Sequence, residues 1–136
     1  MYLKILISLM LITLFGACSE KQSVDIKEGK WSIKTTTVIA GMPFQMPPMT
    51  ITQCMSKKDI VPQQQNKQEN GCEMVKQKIN GSTVEWELSC KDSKSVGSIT
   101  YKHDTFTGEV KAETSTPNGS MKMTSKMSGK YIGACE

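Results

Sequence analysis

The stretch from residue 72 to 90, CEMVKQKINGSTVEWELSC, constrains this fold more than any other. Two runs rich in β-formers flank Asn80-Gly81, a dipeptide that accepts the positive φ a tight hairpin turn demands. A three-residue loop Asn80-Gly81-Ser82 sets Ile79 opposite Thr83. Counting outward then brings Cys72 opposite Cys90 as a close, non-hydrogen-bonded pair within disulfide reach. The same register puts Met74, Val84, Trp86 and Leu88 on the cysteine face, a core side. Glu85 and Glu87 share the other face, across from Gln77 and Val75.

The first residues set the compartment. Lys4 supplies a short positive start, residues 5–15 are apolar apart from Ser8 and Thr13, and Gly16-Ala17 are small, as in an export signal over 1–17. The apolar run falls short of the ~20 residues a spanning helix needs. Leu14-Phe15-Gly16-Ala17-Cys18 resembles the lipobox of bacterial lipoproteins, with Phe15 where Leu is usual. Cys18 is therefore the expected lipidation site, and residues 18–28 a lipidated N-terminus and flexible tether. An ordinary secretory signal with Cys18 a spare thiol is the alternative. Ser19, in place of Asp, points to the outer membrane rather than the inner, with the domain facing the periplasm.

Four cysteines remain in the mature chain: Cys54, Cys72, Cys90 and Cys135. An even number in an exported domain implies two disulfides, with three possible pairings. The hairpin favours Cys72–Cys90, which leaves Cys54–Cys135. In the chain-entropy account these closures contribute roughly 3 and roughly 4.5 kcal/mol. A small domain with few aromatic residues needs such staples. The rival reading, a zinc site built from all four thiolates, has no C-x-x-C knuckle and is opposed by an oxidising compartment.

All seventeen basic residues are lysine, and the formal charge is +4. Without guanidinium forks, and with an export signal, no nucleic-acid partner is expected. Spread among acids, the lysines read as a solvated surface.

Along the chain, a single domain is expected over 29–136. Residues 31–39 alternate as a β-branched strand with one wet side. GMPFQMPP (41–48) is a loop, because Pro43, Pro47 and Pro48 cannot donate to a ladder. A strand resumes over 49–55. Ser56 with Asp59 three residues later offers a capped start for one short helix. Pro62 and QQQNKQENG read as a mobile surface loop. After the central hairpin, 91–97 reads as a polar turn, 98–103 as a strand, 109–116 and 120–127 as a hairpin, and 129–135 as a short last strand. The fold class is mainly all-β: an antiparallel meander of six to seven strands forming a sandwich or open barrel.

Several of these residues together are familiar. They are Gly29-x-Trp31, the Met/Pro loop, Thr52-Gln53-Cys54, Cys72, the strand from Trp86 to Cys90, YKHDTFTG (101–108), and the terminal Gly129-x-Tyr131-Ile132-Gly133-x-Cys135. From about Gly29 to Cys135 the pattern resembles a bacterial envelope family catalogued as domain of unknown function 3617. Lys130 and Tyr131 stand where that family commonly carries arginine. The resemblance implies export and a disulfide-bonded domain; it supplies no activity and no site residues.

The chemical inventory is poor. His103 is the single histidine, and in a strand the adjacent Asp104 points to the opposite face, so no orienting acid serves it. Glu85 and Glu87 have the separation of ordinary surface alternation rather than of a glycosidase pair. Soft thioethers select Cu(I), which makes Met42, Met46 and Met49 weak copper candidates beside a stripe of Met121, Met123 and Met127. The expectation is a lipid-anchored envelope protein, not an enzyme and without a cofactor, acting as a binding or interaction module for an envelope protein. The alternatives are a carrier of a small hydrophobic ligand in a lipocalin-like cavity and a methionine-based copper binder.

Overall fold

The computed structural model describes residues 24–43, 45–61 and 71–136. They form one seven-stranded antiparallel sheet: β1 (Gly29–Ile39), β2 (Met49–Met55), β3 (Glu73–Asn80), β4 (Thr83–Ser89), β5 (Ser93–Lys102), β6 (Thr105–Thr116) and β7 (Gly119–Gly133). The strand order is β2-β1-β7-β6-β5-β4-β3, so β1 and β7, from the two ends of the domain, lie side by side. The sheet is neither a two-layer sandwich nor a closed barrel, since β2 and β3 are both edges.

Three expectations need correction. No helix forms among the described residues. Ser56 and Asp59 do bond reciprocally: Ser56 N and Oγ both donate to Asp59 Oδ2, at 2.9 and 2.7 Å, and Asp59 N donates to the Ser56 carbonyl at 2.9 Å. That satisfies the cap within a single turn, after which Val61 is drawn fully into the core. Of the loop expected over 62–71, all but Gly71 lies outside the described residues. The polar turn shrinks to Lys91-Asp92, with Cys90 N bonded to Ser93 O, and β5 starts at Ser93. The separate last strand is the continuation of β7, which runs unbroken through Ser128-Gly129.

The central hairpin carries a more informative difference. Its loop has two residues, Gly81-Ser82, with Asn80 opposite Thr83, and Gly81 takes the φ of 58° that the first position of a type II′ turn requires. This shifts the register by one from the expected count. A bulge at Val75 then removes the shift, so that Met74 pairs with Leu88 and Glu73 with Ser89. Between turn and bulge, Lys78 and Lys76 face Glu85 and Glu87, in place of the Gln77 and Val75 expected there. A one-residue slip moves every side chain to the other face. The observed register keeps Ile79 beside Val84 and sets lysines opposite the acids, and both choices are favourable.

One face of the sheet carries the core: Trp31, Ile33, Val84, Trp86, Leu88, Ile99, Tyr101, Phe106 and Val110, with Val24, Ile26, Met55 and Val61 joining the same cluster. Trp31, Tyr101 and Phe106 form a chain of ring contacts at 5.6 and 5.5 Å between centroids, and Tyr131 meets Trp31 edge-on at 6.2 Å. Glycines make room for these rings. Gly97 pairs across strands with Trp86 and Gly129 with Phe106, and in each case the ring occupies the space a Cβ would need. Trp86 Nε1 is buried without a hydrogen-bond partner among the described residues.

Residues 24–28, expected in the tether, belong to this packing. Val24 and Ile26 are buried, and Ile26 forms a parallel bridge with His103. Trp31 Nε1 donates to the Lys27 carbonyl at 2.9 Å, and Lys27 Nζ lies 4.1 Å from the centre of the Tyr131 ring. At Gly29, φ is 146°, and a Cβ would meet the Gly133 carbonyl oxygen and the Tyr131 ring. The chain passes there without a side chain, and the C-terminus crosses β1 to reach Cys54.

Candidate functional site

Both disulfides are present. Cys72 bonds Cys90 across the hairpin base, and Cys54 bonds Cys135, closing separations of 18 and 81 residues. Cys135 follows β7 and Cys54 lies on β2, so the second bond spans the start of β1, where Lys30 pairs with both Cys54 and Gly133. Cys18 lies outside the described residues.

The end of the sheet away from Val24 is built by the β1–β2 connection. Ala40 N donates to Lys122 O at 2.8 Å, and Met42 N to Ile39 O at 3.2 Å, turning the chain out of β1 at Gly41. Pro43, Pro47 and Pro48 cannot donate to a ladder, and pairing resumes where Met49 meets Thr35. Met46, Pro47, Pro48 and Met49 enclose a hollow of about 400 Å³ with Thr35 and Thr37, and Thr37 Oγ1 lies 2.8 Å from Ser125 Oγ on the neighbouring strand. Met42 does not line that hollow. Met127, like Met49, pairs with Thr35, while Met123 lies opposite Ile39.

From this loop the chain enters β2, whose single neighbour among the described residues is β1. Alternate backbone N–H and C=O groups of Met49–Met55 therefore point away from the sheet. MTITQCM contains no charge, no proline and no bulge, and Met49 and Ile51 are 60% and 42% exposed. Met42 and Met46 are exposed next to them. The opposite edge is different: β3 carries the Val75 bulge and presents Lys76 and Lys78. Those are standard guards against edge pairing, and β2 has none of them. Ile51 and this edge are not singled out by any motif; the one signal in the chain is the absence of charge over 49–55 beside the lysines of 73–80.

The remaining candidates are dispersed. His103 is not an alternating strand residue: it sits in the two-residue turn between β5 and β6 with φ 55°. Its Nδ1 is 3.0 Å from Asp25 Oδ1, both side chains being largely exposed, and Asp104 is not its partner. Glu85 and Glu87 border a shallow groove of about 330 Å³ on the sheet face opposite the core, each with a lysine across the hairpin. Among the described residues no three His, Cys, Asp or Glu side chains converge to hold a metal ion.

Among the described residues, Tyr101 is the one titratable side chain in the core whose ionisation is strongly perturbed. Burial, reinforced by the Asp59 carboxylate, pushes its hydroxyl well above the ordinary tyrosine range. Its Oη donates to the Ile60 carbonyl at 2.8 Å, which makes it a structural anchor for the segment leaving β2.

A search of the curated proteins finds no match to this chain, and a search of the solved structures finds none either. A family model does match, over residues 26–135, a span that opens at the buried Ile26 and closes at the disulfide-bonded Cys135. The chain belongs to the family described as protein of unknown function, DUF3617.

Proposed function

We propose that this chain is a lipid-anchored protein of the bacterial envelope that acts as a non-catalytic binding module, meeting a protein partner at the β2 edge and the adjoining Met/Pro loop. One observation carries the reading: Met42, Met46, Met49 and Ile51 are exposed together on an uncharged, unguarded sheet edge. Exposed strand edges bind extended partners through main-chain hydrogen bonds, with alternate side chains supplying selectivity.

The placement of the anchor agrees with this. With lipid on Cys18, the chain would enter the domain at Val24, beside the start of β1. The eleven residues of β1 carry the Met/Pro loop about 33 Å from that point. The apolar tip then faces away from the membrane that holds the protein. A ligand carrier has less to work with, because the sheet keeps two free edges and Trp31, Tyr101 and Phe106 fill its tether end. The copper reading has only the thioethers of Met42, Met46 and Met49 to draw on, since among the described residues no cluster of His, Cys, Asp or Glu adds to them.

A photo-reactive side chain at Ile51, in intact cells, tests the site. It should yield a covalent protein adduct, whereas the same group at Lys111, on the face opposite the core, should not. Equal yields from the two positions would end this proposal. Cys18→Ser tests the anchor: the variant should leave the membrane fraction, and a variant that stays there is not held by lipid at Cys18.

A further inference from the structure

We infer that the partner at this edge is a second copy of the same chain, the two β2 strands pairing antiparallel about a two-fold axis into one continuous sheet. The inference rests on the proposed binding role of β2 and names the occupant. A two-fold interface brings each residue against its own symmetry mate, so a strand can serve only if it tolerates itself. β2 does: Met49–Met55 carries no charge, and no like charges meet in any antiparallel register. β3 does not, since Lys76 and Lys78 would face their own copies and Val75 breaks the ladder.

The register centred on Ile51 satisfies both faces of the strand. It sets Ile51 against Ile51 of the second copy, Met49 against Gln53, and Thr50 against Thr52, a favourable cross-strand hydroxyl pair. The apolar side chains that make β2 conspicuous lie on the core face, where Ile51 pairs with Ile33 and Met49 with Thr35. Pairing would cover them and use the outward backbone groups. The interface closes after two chains, because the far edges are the guarded β3 strands. A bare edge on a protein held at high local density on a membrane would otherwise invite open-ended association.

The test uses the full-length chain carrying two different affinity tags, co-expressed and solubilised from membranes in mild detergent. Wild-type copies should co-purify, and Lys76→Glu on the other edge should leave this unchanged. Ile51→Lys copies should lose recovery by about ten-fold, from like charges brought together at the axis. Because a misfolded variant would give the same loss, Ile51→Lys is also paired with Ile51→Glu, which should restore recovery. The inference is overturned if wild-type copies do not co-purify, if Ile51→Lys copies co-purify undiminished, or if the mixed pair recovers no more than Ile51→Lys alone. The photo-adduct from Ile51 separates the two proposals. An adduct of twice the chain mass supports pairing of copies; one formed only with a different protein overturns it and leaves the binding role standing; no adduct at all removes both.

Discussion

Tyr101 Oη donates a hydrogen bond of 2.8 Å to the carbonyl oxygen of Ile60, and so ties the segment leaving one edge strand to the middle of the sheet. The next residue, Val61, is fully buried, so this bond fixes the point at which the chain leaves edge strand β2 and enters the core. Tyr101→Phe should lower unfolding free energy by about 1 kcal/mol, since the ring packing is kept and one buried carbonyl loses its donor. Urea unfolding of the variant against wild type measures it.

The same residue gives the domain an alkaline limit. A neutral hydroxyl held in the fold above its unfolded value of 10.0 contributes stability that is fully present below that value and falls as pH rises past it. Unfolding free energy should therefore decline above about pH 10, and the decline should be shallower in Tyr101→Phe. Equal slopes in the two proteins would show that other groups carry the effect.

Gly129 and Gly97 hold space for the rings of Phe106 and Trp86. A methyl group at either position must displace a buried aromatic side chain, which costs about 1 to 3 kcal/mol. Gly129→Ala should lower Tm by several degrees, whereas Ser128→Ala, on the exposed face beside it, should change little.

The two disulfides differ in the length of chain they close, 81 residues against 18. Removing Cys54 and Cys135 together should cost roughly 4.5 kcal/mol, and removing Cys72 and Cys90 roughly 3 kcal/mol. If the hairpin bond proved the more costly to lose, native packing rather than chain entropy would govern both.

Val75 can be tested by deletion. Without the bulged residue the register set at the Gly81 turn continues outward unbroken, so Met74 still meets Leu88 and Cys72 still arrives opposite Cys90. Thiol titration in denaturant should then find no additional free cysteine relative to wild type, and two free thiols in the variant would show that Val75 is not the inserted residue.

What could be read from the sequence was local. Alternation over 31–39 and 83–89, prolines at 43, 47 and 48, and a turn at Asn80-Gly81 assign strands and loops because side-chain period and backbone freedom act over a few residues. The nearness of Cys72 to Cys90 was legible for the same reason, although the register that produces it uses a bulge the count did not contain. Tertiary structure decided what depends on distant partners: the adjacency of β1 and β7, the packing of Val24 and Ile26 beneath the turn at His103, and which strands are left as edges. Contacts between residues so far apart depend on how the whole sheet closes its core, which no window of sequence contains. The bare edge of β2 is a property of that kind: its uncharged residues are visible in the chain, but only the strand order shows that nothing in the sheet covers them.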